Sequence, residues 1–234
     1  MILSIIIPVY NEEKTIKEIV SKVKKVKLPV DINREIIVVD DFSGDRSYKI
    51  LKNIDGICLI RHKKNLGKGA AIRSSVEKSI GDIIIIQDAD LEYDPFDYPE
   101  LIDPILSGKA KVVYGTRLRN YPMRVFGRKH TPFVTHYLGN IFLSFTTRLL
   151  YGSTITDMET CYKVFRKEVI ENIKIKSNRF EFEPEITAKI LKAGYKIYEV
   201  PIKVKPRGYD EGKKITWRDG FLAIWTLIKY RFTN

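Results

Sequence analysis

The first half of the chain alternates between two kinds of hydrophobic pattern. Apolar runs rich in Ile and Val occur at Ile2–Pro8, Glu35–Val39, Ile57–Ile60, Ile83–Ile86 and Lys111–Tyr114. They show no polar alternation, so the pattern predicts strands buried on both faces. Between them, Glu12–Val26, Asp45–Asn53, Gly67–Ser79 and Asp97–Leu106 carry helical periodicity. Strand, helix, strand, helix implies crossover connections. The predicted fold is α/β in three layers, with helices on both faces of a mostly parallel central sheet. Asn11 and Asp45 stand where helix N-caps are expected.

The second half reads differently. His130–Gly152 is helical, apolar and aromatic. Arg179–Tyr195 predicts an acidic lead-in and a helix from about Pro184, ended by Gly194. "KIYEVPIKVKP" alternates like a strand. "RGYDEGKKI", Arg207–Ile215, with two glycines and mixed charge, predicts a mobile loop. "WRDGFLAIWTLIKYRF" predicts an amphipathic aromatic helix. No repeat or linker divides the chain. The expected organisation is one domain over 1–216 with a C-terminal amphipathic helix over 217–234.

Composition narrows the class. The 234 residues are 44% hydrophobic and 30% charged, the balance of a soluble globular protein. No apolar run has the length of a membrane span. "MILSIIIPVY" has neither basic leader nor small-residue cleavage site and reads as a first strand. Cys58 and Cys161 lie far apart without metal-ligand spacing; they suit a reducing cytoplasm and are expected as small core residues. One Gln in a chain rich in Lys, Glu and Ile suggests a thermophile. The net charge of +12 favours anionic partners, which leaves nucleic acid, phosphates and anionic membrane surfaces to be told apart.

Candidate chemistry gathers at predicted strand ends, where open α/β sheets bind ligands. Tyr10, Asn11 and Glu12 follow the first strand, Asp40 and Asp41 the second, and Asp88, Asp90, Glu92 and Asp94 the fourth. Four isoleucines running into four acids require a neutralising partner. Alternating Asp88 and Asp90 can hold a hard divalent cation, Mg²⁺ or Mn²⁺, together with substrate phosphates. Glu92 is a third candidate ligand; Asp94, before Pro95, is expected to start the next turn. Acidic strand ends have no use in a nucleic-acid-binding module, so that reading is set aside. "NLGKGAAIRSS" lacks the full P-loop pattern. Its Gly67 and Gly69 serve either to cradle phosphate or to let a helix pack closely.

Together, "SIIIPVYNEE", "IIVVDDFSGD", "NLGKGAAIRSS", "IIIIQDADLEYDP", "VYGTRLR" and "DMETCYKVFRKEV" resemble the family 2 glycosyltransferases of the GT-A, Rossmann-like fold. Within that family the chain is similar to the dolichyl-phosphate mannose synthases and dolichyl-phosphate glucosyltransferases. The resemblance implies an inverting, metal-dependent hexosyl transfer from GDP-mannose or UDP-glucose to a polyprenyl phosphate. It implies that Pro8, Tyr10, Glu12, Val39 and Asp41 frame the nucleotide, and that Asp88, Ala89 and Asp90 form the metal and diphosphate corner. Arg117 and Arg128 match positions facing phosphates, and Asp157 matches the acid near the acceptor. Arg207, Lys213 and Lys214 match a basic loop closing over the donor. Phe42 replaces the glycine of the usual "DDGS". Glu183 is acidic where some mannose synthases carry Lys, and with "NLGKGAA" it resembles the glucosyltransferase branch.

A phosphate acceptor is already an anion, so a strong general base is not needed. Asp157 is therefore expected to orient either the acceptor or a basic side chain, or to act as a cap. A lipid-phosphate acceptor implies peripheral attachment to the cytoplasmic membrane face, through His130–Leu150, Trp217–Phe232 or a membrane partner protein. The alternative is a related transferase acting on a soluble or glycan acceptor.

Overall fold

A computed structural model describes residues 1–117, 134–205 and 217–233. The strands are β1 (Ile2–Val9), β2 (Asn33–Asp40), β3 (Cys58–Arg61), β4 (Ile83–Ile86), β5 (Val112–Thr116), β6 (Lys163–Arg166) and β7 (Ile197–Pro201). The helices are α1 (Ile16–Lys25), α2 (Ser47–Leu51), α3 (Lys68–Lys78), α4 (Tyr98–Leu106), α5 (Val134–Tyr151), α6 (Lys167–Glu171), α7 (Phe182–Lys192) and α8 (Trp217–Phe232). The described strands make one sheet in the order β3-β2-β1-β4-β6-β5-β7.

All the pairings are parallel except those of β6, which runs antiparallel to both β4 and β5. The predicted strands are all present, with ends moved by a residue or two, except that the strand predicted over "KIYEVPIKVKP" is shorter, ending at Pro201. β6 was not predicted. "KVFR" is too short and too polar at its ends to announce a strand, yet it sits between β4 and β5 with Val164 and Phe165 fully buried.

Three expectations need correction. β3 is not buried on both faces: it is an edge strand whose terminal residues are exposed, so Cys58 is a surface thiol and only Cys161 is in the core. Asn11 does not cap α1, which begins five residues later; it takes φ 53° and its Oδ1 accepts the Gly44 N–H at 2.8 Å, joining the loops after β1 and β2. Asp45 accepts N–H groups from Glu13 and Ser47, so it ties α2 to the same junction as well as supporting its first turn.

α8 is part of the packed structure. It lies against α7 and α5, buries Ala223, Leu227 and Tyr230, and its Leu227 carbonyl accepts the Tyr151 hydroxyl at 2.6 Å.

Candidate active site

The carboxyl ends of β1, β2 and β4 adjoin because these strands are neighbours in the sheet. The loops leaving them hold all three non-glycine residues with positive φ among those described: Asn11, Phe42 (62°) and Leu91 (64°). Such conformations cost free energy and persist where the surroundings impose them, commonly at functional sites. At 62°, Phe42 occupies a conformation that glycine adopts freely, which accounts for the glycine of the "DDGS" pattern. Its ring is half exposed, and the Arg61 guanidinium lies 5.7 Å from it and 3.9 Å from the Tyr48 ring.

The four acids after β4 have separate fates. Asp88 is neutralised by Lys68 at the start of α3, whose ammonium lies 2.8 Å and 3.2 Å from its two oxygens. The same ammonium reaches Glu183 of α7 at 2.9 Å, and Glu183 is bound at 2.5 Å by the fully buried Lys163 of β6. The result is an alternating chain of two acids and two cations drawn from four elements. Burial raises the Asp88 pKa and lowers that of Lys68, but the opposite charges outweigh it: Asp88 is held below the carboxylate range and Lys68 well above the amine range. Asp90 accepts the Glu92 N–H at 3.1 Å. Asp94 accepts the Phe96 N–H, starting the next turn as expected.

Gln87 precedes these acids and is fully buried. Its Oε1 accepts the hydroxyls of Tyr98 at 2.7 Å and Tyr162 at 2.8 Å, and its Nε2 donates to the Asp88 carbonyl. These bonds hold the backbone at the point where the isoleucine strand gives way to the acids.

Asp157 is fully buried. It accepts three hydrogen bonds from Arg117, from the backbone N–H at 2.9 Å, Nε at 2.8 Å and a terminal nitrogen at 2.7 Å, and a fourth from Asn140 Nδ2 at 2.7 Å. Burial raises its pKa, but the Arg117 charge and hydrogen bonds hold it below the usual range. Of the expected roles, the geometry matches the orienting of a basic side chain. Two residues on, Glu159 has a buried Oε1 with no hydrogen-bond partner. Burial pushes its pKa up to about 7, Glu183 adds to the rise, and Lys163 and Arg117 oppose it.

Around the nucleotide positions, Pro8 pairs across the sheet with Val39, which is fully buried. Tyr10 is exposed, and Glu12, nearly buried, accepts the Thr15 hydroxyl at 2.8 Å. Asp41 is buried and occupied: its oxygens accept the N–H groups of Leu66 at 2.9 Å and Gly67 at 2.6 Å, and His62 Nδ1 lies 2.6 Å away. This settles the role of the glycines. A Cβ on Gly67 would stand 2.4 Å from the Asn178 carbonyl oxygen, and one on Gly69 2.5 Å from that of Ser177. The Gly67 N–H already bonds to a carboxylate. The turn exists for close packing, not for cradling phosphate. Asp40, also fully buried, has no hydrogen bond to either oxygen; Arg61 Nε approaches one at 3.2 Å.

The model of the family described as "Glycosyl transferase family 2" matches residues 4–174. The chain belongs to the family 2 glycosyltransferases. It is 30% identical to the UDP-N-acetylglucosamine–dolichyl-phosphate N-acetylglucosaminyltransferase of Methanococcus voltae, over 96% of this chain and 94% of that protein. It is 29% identical to the dolichol-phosphate mannosyltransferase of Pyrococcus furiosus, over 98% of this chain and 64% of that longer one. Among solved structures, the glucosyl-3-phosphoglycerate synthase of Mycobacterium tuberculosis, in complex with Mn²⁺, UDP and glucosyl-3-phosphoglycerate, superposes with a TM-score of 0.70 at 21% identity, covering 97% of this chain and 79% of that one. The GT-A fold expected from the sequence is the fold observed.

In this family 2 glycosyltransferase the donor set at Asp88 and Asp90 is all oxygen, which suits a hard cation. Among the described residues no three His, Cys, Asp or Glu side chains converge on a metal position, so Asp88, Asp90 and Glu92 do not form a closed three-carboxylate cage. Two carboxylates completed by substrate phosphates are the arrangement Mg²⁺ takes most often. Arg128, Arg207, Lys213 and Lys214, with the loop Arg207–Ile215, lie outside the described residues. Sequence reasoning missed Lys68, Lys163, Glu159 and Gln87. Lys68 and Lys163 were visible inside quoted motifs, but only contact with Glu183 distinguishes them from surface lysines.

Proposed function

We propose that the protein is an inverting glycosyltransferase that moves a hexose from a nucleotide sugar, GDP-mannose or UDP-glucose, to a polyprenyl (dolichyl) phosphate. The observation that carries this reading is the pairing of Asp88 with Lys68 after β4, together with an Arg117 immobilised by Asp157 after β5. One acid corner suits a metal-bound diphosphate and one fixed guanidinium suits a phosphate. Similarity to two dolichyl-phosphate sugar transferases over nearly all of this chain supports the lipid acceptor.

Asp88 and Asp90 would hold Mg²⁺ or Mn²⁺, as the Mn²⁺–UDP complex of the structural relative also suggests. The metal, when bound, neutralises charge that builds on the leaving diphosphate. Arg117, held in one orientation, binds the acceptor phosphate, which attacks C1 directly because it is already anionic. Asp157 keeps Arg117 in place and takes no proton.

No helix among the described residues is long and apolar enough to cross a membrane. Two adjacent helices instead expose apolar stripes at helical spacing: Leu138, Phe142, Phe145 and Leu149 on α5, and Phe221, Trp225, Ile228 and Phe232 on α8. With Arg148, Lys229 and Arg231 on the same helices, these stripes suit the headgroup layer of an anionic bilayer. Attachment would be peripheral, on the cytoplasmic face.

The test is to incubate the protein with Mn²⁺ or Mg²⁺, labelled GDP-mannose, UDP-glucose or UDP-N-acetylglucosamine, and either a short polyprenyl phosphate or 3-phosphoglycerate. Label entering the lipid phase with metal present supports the proposal, and the donor that supplies it names the sugar. Label entering only the soluble acceptor replaces it with the reading of a soluble-acceptor transferase.

A further inference from the structure

Asp88 already has a cation. The Lys68 ammonium faces both of its oxygens, with only 13% of the lysine side chain and 23% of the aspartate side chain exposed. Lys68 is held there from behind. Glu183 binds it at 2.9 Å from α7, and Lys163 in turn binds Glu183 from β6 and donates to the Met158 carbonyl at 3.2 Å. A flexible lysine on the surface would swing away at little cost when a divalent cation arrived. This one leaves its acid only by breaking a largely buried, alternating ion-pair chain.

We infer that Lys68 is a built-in competitor for the metal. It occupies the Asp88 carboxylate in the nucleotide-free protein and keeps Mg²⁺ or Mn²⁺ weakly bound until a nucleoside diphosphate supplies further oxygens. The inference rests on the assignment of Asp88 and Asp90 as metal ligands. Its physical basis is that two cations sharing one carboxylate repel each other, and that a diphosphate adds the negative charge that lets both remain. Glu183 and Lys163 are then positioning residues, which act on the metal through Lys68. The consequence is an ordered reaction, in which metal and donor enter together and free metal does not load the protein in advance.

The experiment is a Mn²⁺ titration of the nucleotide-free protein, read by the paramagnetic signal of free Mn²⁺, for the native chain and Lys68→Met, Lys68→Arg and Lys64→Met. Lys68→Met leaves the more deeply buried Glu183 paired with Lys163 and frees only Asp88, which is 23% exposed and open to the added metal. Removing one cation from beside the metal ligand should tighten Mn²⁺ binding about tenfold. Lys68→Arg, which keeps the charge, and Lys64→Met, which removes an exposed charge from the same loop, should stay at the native value. Equal or weaker binding by Lys68→Met would overturn the inference, and so would an equal gain in Lys64→Met. A second measurement needs no variant: adding UDP or GDP should tighten Mn²⁺ binding by the native chain at least about tenfold. Tight binding by the native chain without nucleotide would equally overturn it. No turnover is involved, so a failure here is distinct from a failure to find glycosyl transfer.

Discussion

Arg117 and Asp157 form a two-pronged ion pair in which the guanidinium donates through Nε and a terminal nitrogen to opposite carboxylate oxygens, while the Arg117 backbone N–H donates to the same acid. Asp157 is fully buried and Arg117 is one-quarter exposed, so the acid anchors and the base faces outward. Replacing Asp157 by Ala should leave Arg117 without its anchor and Asn140 without an acceptor. We expect a loss of stability of roughly 3 kcal/mol in denaturant unfolding, and a large rise in KM for the acceptor phosphate with little change for the nucleotide sugar. A loss confined to the nucleotide sugar would place Arg117 on the donor side.

Asp90 should behave in the opposite way. It is partly exposed at the strand end, so Asp90→Asn should leave the thermal midpoint within a few degrees of native. Turnover should fall by about two orders of magnitude or more, as expected when charge stabilisation of a leaving group is lost. Undiminished metal-dependent activity in this variant would remove Asp90 from the site.

Asp41 is a different kind of acid. Its oxygens hold the Leu66 and Gly67 N–H groups and face His62. Asp41→Ala would strand these part-buried donors, at up to about 1–3 kcal/mol for each group left unsatisfied. The expected result is a chain that unfolds at lower temperature. A variant with native stability but weakened nucleotide binding would show that Asp41 serves the ligand instead.

The Glu159 carboxyl gives a pH signature. Its folded pKa of about 7 lies above the ordinary value of 4.5. The folded state therefore holds this proton more tightly than the unfolded chain. Below pH 4.5 the group is protonated in both states and has no effect; as pH rises towards 7, unfolding is favoured increasingly, and above 7 the penalty is complete. Glu159→Gln should match the native chain near pH 4 and exceed its stability at pH 8, by up to about 3 kcal/mol. Denaturant unfolding at the two pH values measures it; a difference independent of pH would count against the shifted group.

Flotation with anionic vesicles tests the apolar stripes. Phe145→Glu and Trp225→Glu alter exposed positions on α5 and α8, so the fold should survive while vesicle binding falls in each and most in the pair. Truncation of α8 is a poorer probe, because Leu227 and Tyr230 belong to the core. Undiminished binding by the double variant would exclude both stripes as the anchor.

The α/β alternation, the two amphipathic helices of the second half and the gathering of acids after β4 are legible in the residue pattern alone. These are local properties: residue period reports which faces are buried, and Ile83–Ile86 is a strand because a run of β-branched residues fits a sheet buried on both sides. The motifs also marked Asp88, Asp90, Arg117 and Asp157 as candidates. What each acid does was decided only by tertiary structure. Asp41, Asp88 and Asp157 are alike in sequence, each a carboxylate near a strand end or turn. One holds backbone N–H groups, one is paired with Lys68, and one clamps Arg117. β6 escaped notice for the same reason. Four residues with polar ends carry little local signal, and the strand exists because the gap between β4 and β5 has unpaired backbone groups for it to satisfy. A carboxylate's role depends on which donors and cations surround it, and for these three they come from the turn into α3, the end of β5 and α5, up to 40 residues away in the chain.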